Sequence, residues 1–270
     1  MRVLIVGDME GVAGISRWSQ VMAGELMYEE GRALYTEEMN AAVDGAFEGG
    51  ATEVVVMDCH GAGKDHSFNS LIPERLDARC EFVVQRSWTE YTAFLEQGCD
   101  GALFVGMHAR AGTADGVLCH TVRGTEWRNL WFNDVVVGES GINAALCGAW
   151  DCPVLLVTGD AAACREAGEL LGDGLTTVAV KTGLGRFSAR HLPPVRAREL
   201  IARGAADALR DPKAVAPYKV EPPVTITVEM TTVDQLEPYR GRSGIEVDTD
   251  RMTVTASDAE WFRAWRRLYF

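Results

Sequence analysis

Several features are missing from this 270-residue sequence, and each absence narrows what it can be. No apolar stretch approaches the roughly 20 residues that a membrane-spanning helix needs. The opening run Met1–Gly7 is too short for a secretory signal and passes directly into charged residues, so a cytoplasmic protein is expected. Basic charge is scarce: 26 Lys and Arg face 39 Asp and Glu, a formal net charge of −13. Nucleic acid and anionic membrane surfaces are therefore poor partners, because both require a basic face. None of the seven cysteines forms a CxxC pair, and their odd number suits reduced thiols rather than a disulfide framework. No G-x-G-x-x-G or P-loop stands where a nucleotide-binding fold would need it, no H-E-x-x-H occurs, and there is no internal repeat or low-complexity segment.

What is present is an alternation of short apolar runs with helical patterns. Strands are predicted at Val3–Val6, Glu53–Met57, Glu81–Val84, Ala102–Val105, Val154–Thr158 and Thr176–Val180. Between them, Glu30–Glu48 repeats Leu34, Met39, Ala42, Val43 and Phe47 on one face and stops at Gly49-Gly50. Ser140–Ala149 and Ala161–Leu171 are two further helices. Such alternation predicts an α/β fold whose mostly parallel sheet is flanked by helices. Val117–Val122 and Trp127–Val137 read instead as antiparallel strands, the second folding on an Asn133-Asp134 turn, so a hairpin insertion is expected. After Leu192 a helix from Pro193-Pro194 to about Leu209 precedes strands at Val224–Met230, Gly244–Val247 and Met252–Thr255 and a helix beginning near Ser257. The expected division is a catalytic α/β domain, residues 1–192, and a smaller α+β domain, residues 193–270.

The chemistry gathers at the ends of the apolar runs. Ligands of open parallel sheets bind beyond the carboxyl ends of the strands, where Asp8, Asp58, His60 and His108 fall. Asp8 and Glu10 are two apart and share a face on an extended chain. Glu139 opens a helix beside Gly138. Charges at such places must be paired, hydrogen-bonded or metal-bound. Carboxylates and imidazoles are the usual ligands of Zn²⁺ and related ions, with Mn²⁺ and Co²⁺ also compatible. Asp8, Glu10, His60, His108 and Glu139 exceed the needs of one catalytic zinc and suit two divalent ions sharing a carboxylate. Taken singly, Asp8 could instead cap a helix and Glu139 could sit in a favourable first turn. His120 alone reads as a core residue on a hairpin, and His66 and His191 as surface or supporting residues. Cys59 and Cys119 each precede a histidine and should face away from it. Trp18, Asn129 and Trp131 are candidate pocket-wall residues.

As an ordered set these motifs resemble the D-aminopeptidase family of dinuclear zinc peptidases, of the dipeptide-operon type. The resemblance spans the chain: Asp8-Met9-Glu10-Gly11-Val12-Ala13-Gly14, Asp58-Cys59-His60-Gly61, Gly106-Met107-His108-Ala109, His120-Thr121, Gly138-Glu139-Ser140-Gly141-Ile142-Asn143-Ala144-Ala145, Thr158-Gly159-Asp160 and Val180-Lys181. The family begins Ser-x-Asp-x-Glu-Gly, and Val6 stands at the serine position, removing a hydroxyl but no ligand. The resemblance implies metal ligation by Asp8, Glu10, His60, His108 and Glu139 and a catalytic role for His120. It implies hydrolysis of the N-terminal residue of short peptides, with preference for D-amino acids such as D-alanine, and a homodecamer of two pentameric rings.

Two other classes compete. A haloacid-dehalogenase-like, Mg²⁺-dependent phosphatase would use Asp8 as phosphoryl acceptor and Gly159-Asp160 as its late acidic motif. Against it, Ala161-Ala162-Ala163 adds no acid, Lys181 follows that motif rather than preceding it, and the histidines have no role. A metal- or peptide-binding protein without turnover is the other alternative.

Overall fold

The apolar runs become strands whose ends line up. The computed structural model describes residues 1–270. Its first half comprises β1 (Arg2–Gly7), α1 (Tyr28–Glu48), β2 (Glu53–Asp58), β3 (Glu81–Val83), α2 (Ala93–Glu96), β4 (Gly101–Met107), β5 (Trp127–Phe132), β6 (Val135–Val136) and α3 (Glu139–Gly148). The second half comprises β7 (Val154–Asp160), α4 (Ala161–Leu171), β8 (Thr176–Gly185), β9 (Ser188–His191), α5 (Pro194–Ala208), β10 (Val224–Met230), β11 (Ile245–Asp248), β12 (Thr253–Asp258) and α6 (Trp261–Tyr269). One sheet runs β3-β2-β1-β4-β7-β8-β9, parallel except for the terminal β8–β9 pair. In its centre Gly7 pairs with Asp58 on one side and Val105 on the other, so the carboxyl ends of β1, β2 and β4 form one edge.

Alternating side chains serve two apolar layers. Val3, Ile5, Leu103 and Val105 pack towards Tyr35, Met39 and Val43 of α1 and Ile201 and Ala205 of α5. The two helices touch closely, since a Cβ at Gly45 would lie 2.0 Å from the Ala202 carbonyl oxygen. Leu4, Val6 and Phe104 face the opposite layer, where Leu130, Ile226, Val228 and Trp265 close the core. Each such buried side chain contributes about 1.5–3 kcal/mol. Val6 is wholly enclosed here, so the missing serine hydroxyl lies in packed apolar surroundings.

The second sheet is antiparallel, ordered β11-β12-β10-β5-β6. The β5–β6 hairpin turns at Asn133, whose φ is +50°, and pairs with β10 through Val228 opposite Leu130. The hairpin and the C-terminal strands therefore share one sheet, covered by α6. Meanwhile α5 packs on α1. The expected units 1–192 and 193–270 are thus joined through both layers. Val117–Val122, expected as a strand, is irregular: Leu118 and Val122 have φ of +51° and +57°. Its backbone is held from outside, Val117 N–H donating to Asp160 Oδ2 at 2.7 Å and Leu118 N–H to the Arg186 carbonyl at 2.8 Å.

Candidate metal centre

The strand ends converge because glycine lets their backbones meet. Asp8 N–H donates to the Val105 carbonyl at 2.9 Å, and Gly11 N–H to the Gly106 carbonyl at 2.8 Å. At Gly106 φ is +75°, and a Cβ there would stand 2.1 Å from the Asp8 carbonyl oxygen. Only glycine accepts that conformation and that approach together. The turn after β1 is thereby pressed against the end of β4, which brings Asp8 and Glu10 to His108.

Six predicted residues meet there. His60 Nδ1 lies 3.2 Å from Asp8 Oδ1 and 3.0 Å from Glu10 Oε2. His108 Nε2 lies 3.3 Å from Asp8 Oδ2 and 3.5 Å from Glu139 Oε2. His120 Nε2 is 3.5 Å from Glu139 Oε1, and its ring stacks on His108 with centroids 4.1 Å apart. The outer nitrogen of each imidazole faces a backbone carbonyl: His60 Nε2 to Val21 at 2.7 Å, His108 Nδ1 to Ala109 at 2.9 Å, His120 Nδ1 to Leu118 at 2.9 Å. A carbonyl only accepts, so these nitrogens carry protons and the inner ones are left to the carboxylates. This is how metal-binding histidines are oriented. Glu10 Oε2 and His108 Nε2 are buried without an aligned hydrogen-bond partner, a deficit that a cation would relieve. Ligand atoms of Asp8, Glu10 and His108 lie within 4.8 Å of one another, as do those of His108, His120 and Glu139. The donor set therefore fits divalent metal.

The electrostatics say the same. Burial, then the nearby Glu10, pushes Asp8 up to about 7. Burial also works to raise Glu10 and Glu139, but the imidazoles outweigh it, His60 foremost for Glu10 and His108 for Glu139, and hold both low. Burial opposes charge on His60 and His108, yet Glu10 and Glu139 respectively carry them well above the usual imidazole range. Those protons occupy places for which a cation competes. Of the three imidazoles at the centre, His120 is the one lowered, by burial and then by His108.

A supporting layer was only partly legible. Lys181, in β8, is buried, and its Nζ donates to the carbonyls of Glu10, Val12 and Ile15 at 2.5, 2.9 and 2.7 Å. Glu38 Oε1 accepts from Ala13 N–H at 2.9 Å, and His191 Nδ1 from Gly14 N–H at 3.1 Å. The turn carrying Glu10 is thus clamped by α1, β8 and β9. A lone lysine within an apolar strand was the available signal. Asp58 sits behind the centre, accepting from Tyr35 Oη at 3.0 Å, His60 N–H at 3.0 Å and Ser70 N–H. Asp160 is occupied by backbone: it caps α4 at Ala163 N–H, 2.7 Å, besides holding Val117. It leaves nothing for a phosphatase's acidic motif.

The centre opens into a cavity of about 220 Å³ walled by Phe68, Trp88, Val122 and Tyr269. Trp265 keeps Trp88 and Tyr269 in place, edge-on to the first and stacked at 5.1 Å on the second. Cys59 belongs to this wall, against the expectation that it faces away; it lies just past the end of β2, where the alternation of a paired strand no longer applies. A second space, about 430 Å³, adjoins the first at Glu10, Gly61, His120 and Val122 and extends past Trp18 to Arg186. Asn129 and Trp131 are elsewhere: Asn129 bonds Glu229 at 2.7 Å, and Trp131 lines the outer face of the second sheet.

Oriented imidazoles and buried carboxylates at the carboxyl edge of a parallel sheet define a metal-dependent hydrolase. A profile of the D-aminopeptidase family matches residues 1–270, and the chain belongs to that family. It is 34% identical over 273 residues to the D-aminopeptidase of Bacillus subtilis (strain 168), covering 99% of this chain and 95% of that protein. A solved structure, the Zn-dependent D-aminopeptidase DppA from Bacillus subtilis, described as a self-compartmentalizing protease, superposes with a TM-score of 0.92 at 33% identity, over 99% of this chain and 95% of that one. Neither the phosphatase nor the non-catalytic alternative gains support from these likenesses.

Proposed function

We propose that this protein is a zinc-dependent aminopeptidase that removes the N-terminal residue, preferentially a D-amino acid such as D-alanine, from short peptides. The carrying observation is that three imidazoles, each tethered by a backbone carbonyl, turn their other nitrogens onto three buried carboxylates. Asp8, Glu10, His60, His108 and Glu139 are the residues that would hold two metal ions. Such ions, when bound, supply Lewis acidity and lower the pKa of water.

The chain's own groups account for the rest. His120 has a lowered pKa and a protonated Nδ1, so its Nε2 is a neutral base at the mouth of the centre. It takes a proton from the attacking water and hands it to the departing amine. The substrate's free α-amine would be held at this centre, on a metal ion or a nearby carboxylate, and that contact would account for exopeptidase action. Phe68, Trp88, Val122 and Tyr269 bound a space suited to a small side chain and exclude water from the reacting bond.

A second reading of His120, as a ligand with His108 and Glu139, is favoured by the closeness of those three groups. The self-compartmentalizing relative supports a closed homo-oligomer, here a decamer. The free state of all seven cysteines supports a reducing cytoplasm. The test is dialysis against chelator: hydrolysis of D-Ala-D-Ala and D-alanyl p-nitroanilide is expected to vanish and to return with Zn²⁺. Full activity in demetallated protein overturns the reading.

A further inference from the structure

The second space beside the centre ends on a cation without a carboxylate partner. Arg186 is exposed, and its guanidinium joins no ion pair or side-chain hydrogen bond, although acidic residues outnumber basic ones by 39 to 26. It is held instead over the Trp18 ring, 5.5 Å from the centroid, and near Phe187 at 5.6 Å. A contact of this kind does not consume the guanidinium N–H donors, which remain available to a second partner. Trp18 in turn meets the His120 ring edge-on at 5.5 Å, so one indole separates Arg186 from the residue at the scissile bond. The cavity's only other charged lining residue is Glu10, at the metal end. Arg123, which lines the smaller cavity, is already paired with Glu126 at 3.0 Å.

We infer that Arg186 receives the C-terminal carboxylate of the substrate, which makes the protein selective for di- and tripeptides with a free C-terminus. This rests on the aminopeptidase reading. The N-terminal residue occupies the small cavity, the scissile bond lies by His120, and the remainder runs past Trp18. An extended chain covers about 3.3–3.6 Å per residue, so one or two residues beyond the scissile bond bring the terminal carboxylate to the guanidinium. A chain of net charge −13 repels an anionic terminus unless a local cation compensates. A planar guanidinium does so with two parallel hydrogen bonds.

The experiment compares kcat/KM for D-Ala-D-Ala and its C-terminal amide, using the zinc-loaded wild type and Arg186→Gln and Arg186→Lys variants of verified fold and metal content. The wild type is expected to favour the free acid, with the preference shrinking as salt rises. In R186Q the acid-to-amide ratio should fall at least tenfold, mostly through KM, and R186K should recover part of it. An unchanged ratio in R186Q overturns this inference alone. Failure of the wild type on both peptides and on D-alanyl p-nitroanilide overturns the aminopeptidase reading and this inference with it.

Discussion

His120 and Glu38 show how single side chains divide the labour around the centre. In the proposed mechanism His120 moves a proton, so His120→Ala should retain both metal equivalents and lose at least about 100-fold in kcat. Metal analysis beside steady-state kinetics decides this; loss of a metal equivalent would instead make His120 a ligand. Glu38 is away from the chemistry, yet burial pushes it up to about 7 despite the Ala13 N–H and Lys181 nearby. The folded state therefore takes up this proton before the unfolded state does, and stability from Glu38 falls as pH rises from about 4.5 to about 7. Glu38→Gln keeps an acceptor for Ala13 and removes the titration. Relative to its value near pH 4.5, the variant should gain stability against wild type up to about 3 kcal/mol above pH 7. Urea unfolding at several pH values measures the difference, and a pH-independent difference would contradict it. The residues proposed to hold metal were readable as candidates because charge at the end of an apolar run has few explanations. Lys181 was harder to read, because its three carbonyl partners are set by the path of a turn 166 to 171 positions away.

Among the elements, the decisive feature is how closely the ends of β1 and β4 approach. Gly106→Ala would place a methyl carbon against the Asp8 carbonyl in a conformation that L-residues resist. It should cost about 1–3 kcal/mol and lower zinc affinity, because the backbone carrying Asp8 must shift. Thermal melting and zinc titration together test both effects, and a variant with unaltered affinity would show that the ends move without disturbing the ligands. Helices α1, α3 and α4 were legible from apolar spacing and their stops, and the strands of the parallel sheet from length and composition. Val117–Val122 misled because its β-forming residues are apolar for burial, while its backbone is committed to Asp160 and Arg186. Periodicity reports which side chains are buried, not where the backbone hydrogen bonds go.

For the whole molecule, the antiparallel sheet and α6 form the rear wall of the site, since Trp265 seats both Trp88 and Tyr269. The C-terminal third therefore contributes to the wall of the candidate site. Its removal should abolish activity even though every proposed ligand precedes it. If the chain closes into the proposed decamer, sedimentation equilibrium should give ten times the chain mass. A monomer with full activity would show that enclosure is unnecessary for peptide hydrolysis. No helix is long and apolar enough to cross a membrane.

By itself the sequence determined the family and the candidate chemistry: which carboxylates and imidazoles end the apolar runs, the α/β alternation that aims them at one edge, and the ordered motifs that mark the family. These are local properties, written in periodicity and in the cost of leaving charge at a strand end. Only the tertiary structure decided what surrounds them. The pairing of β5 with β10, the lysine clamp on the Glu10 turn, the thiol in the cavity wall and the unpaired Arg186 across Trp18 all depend on contacts between distant segments. Neither propensity nor spacing along the chain encodes such contacts, because packing selects them after the local elements have formed.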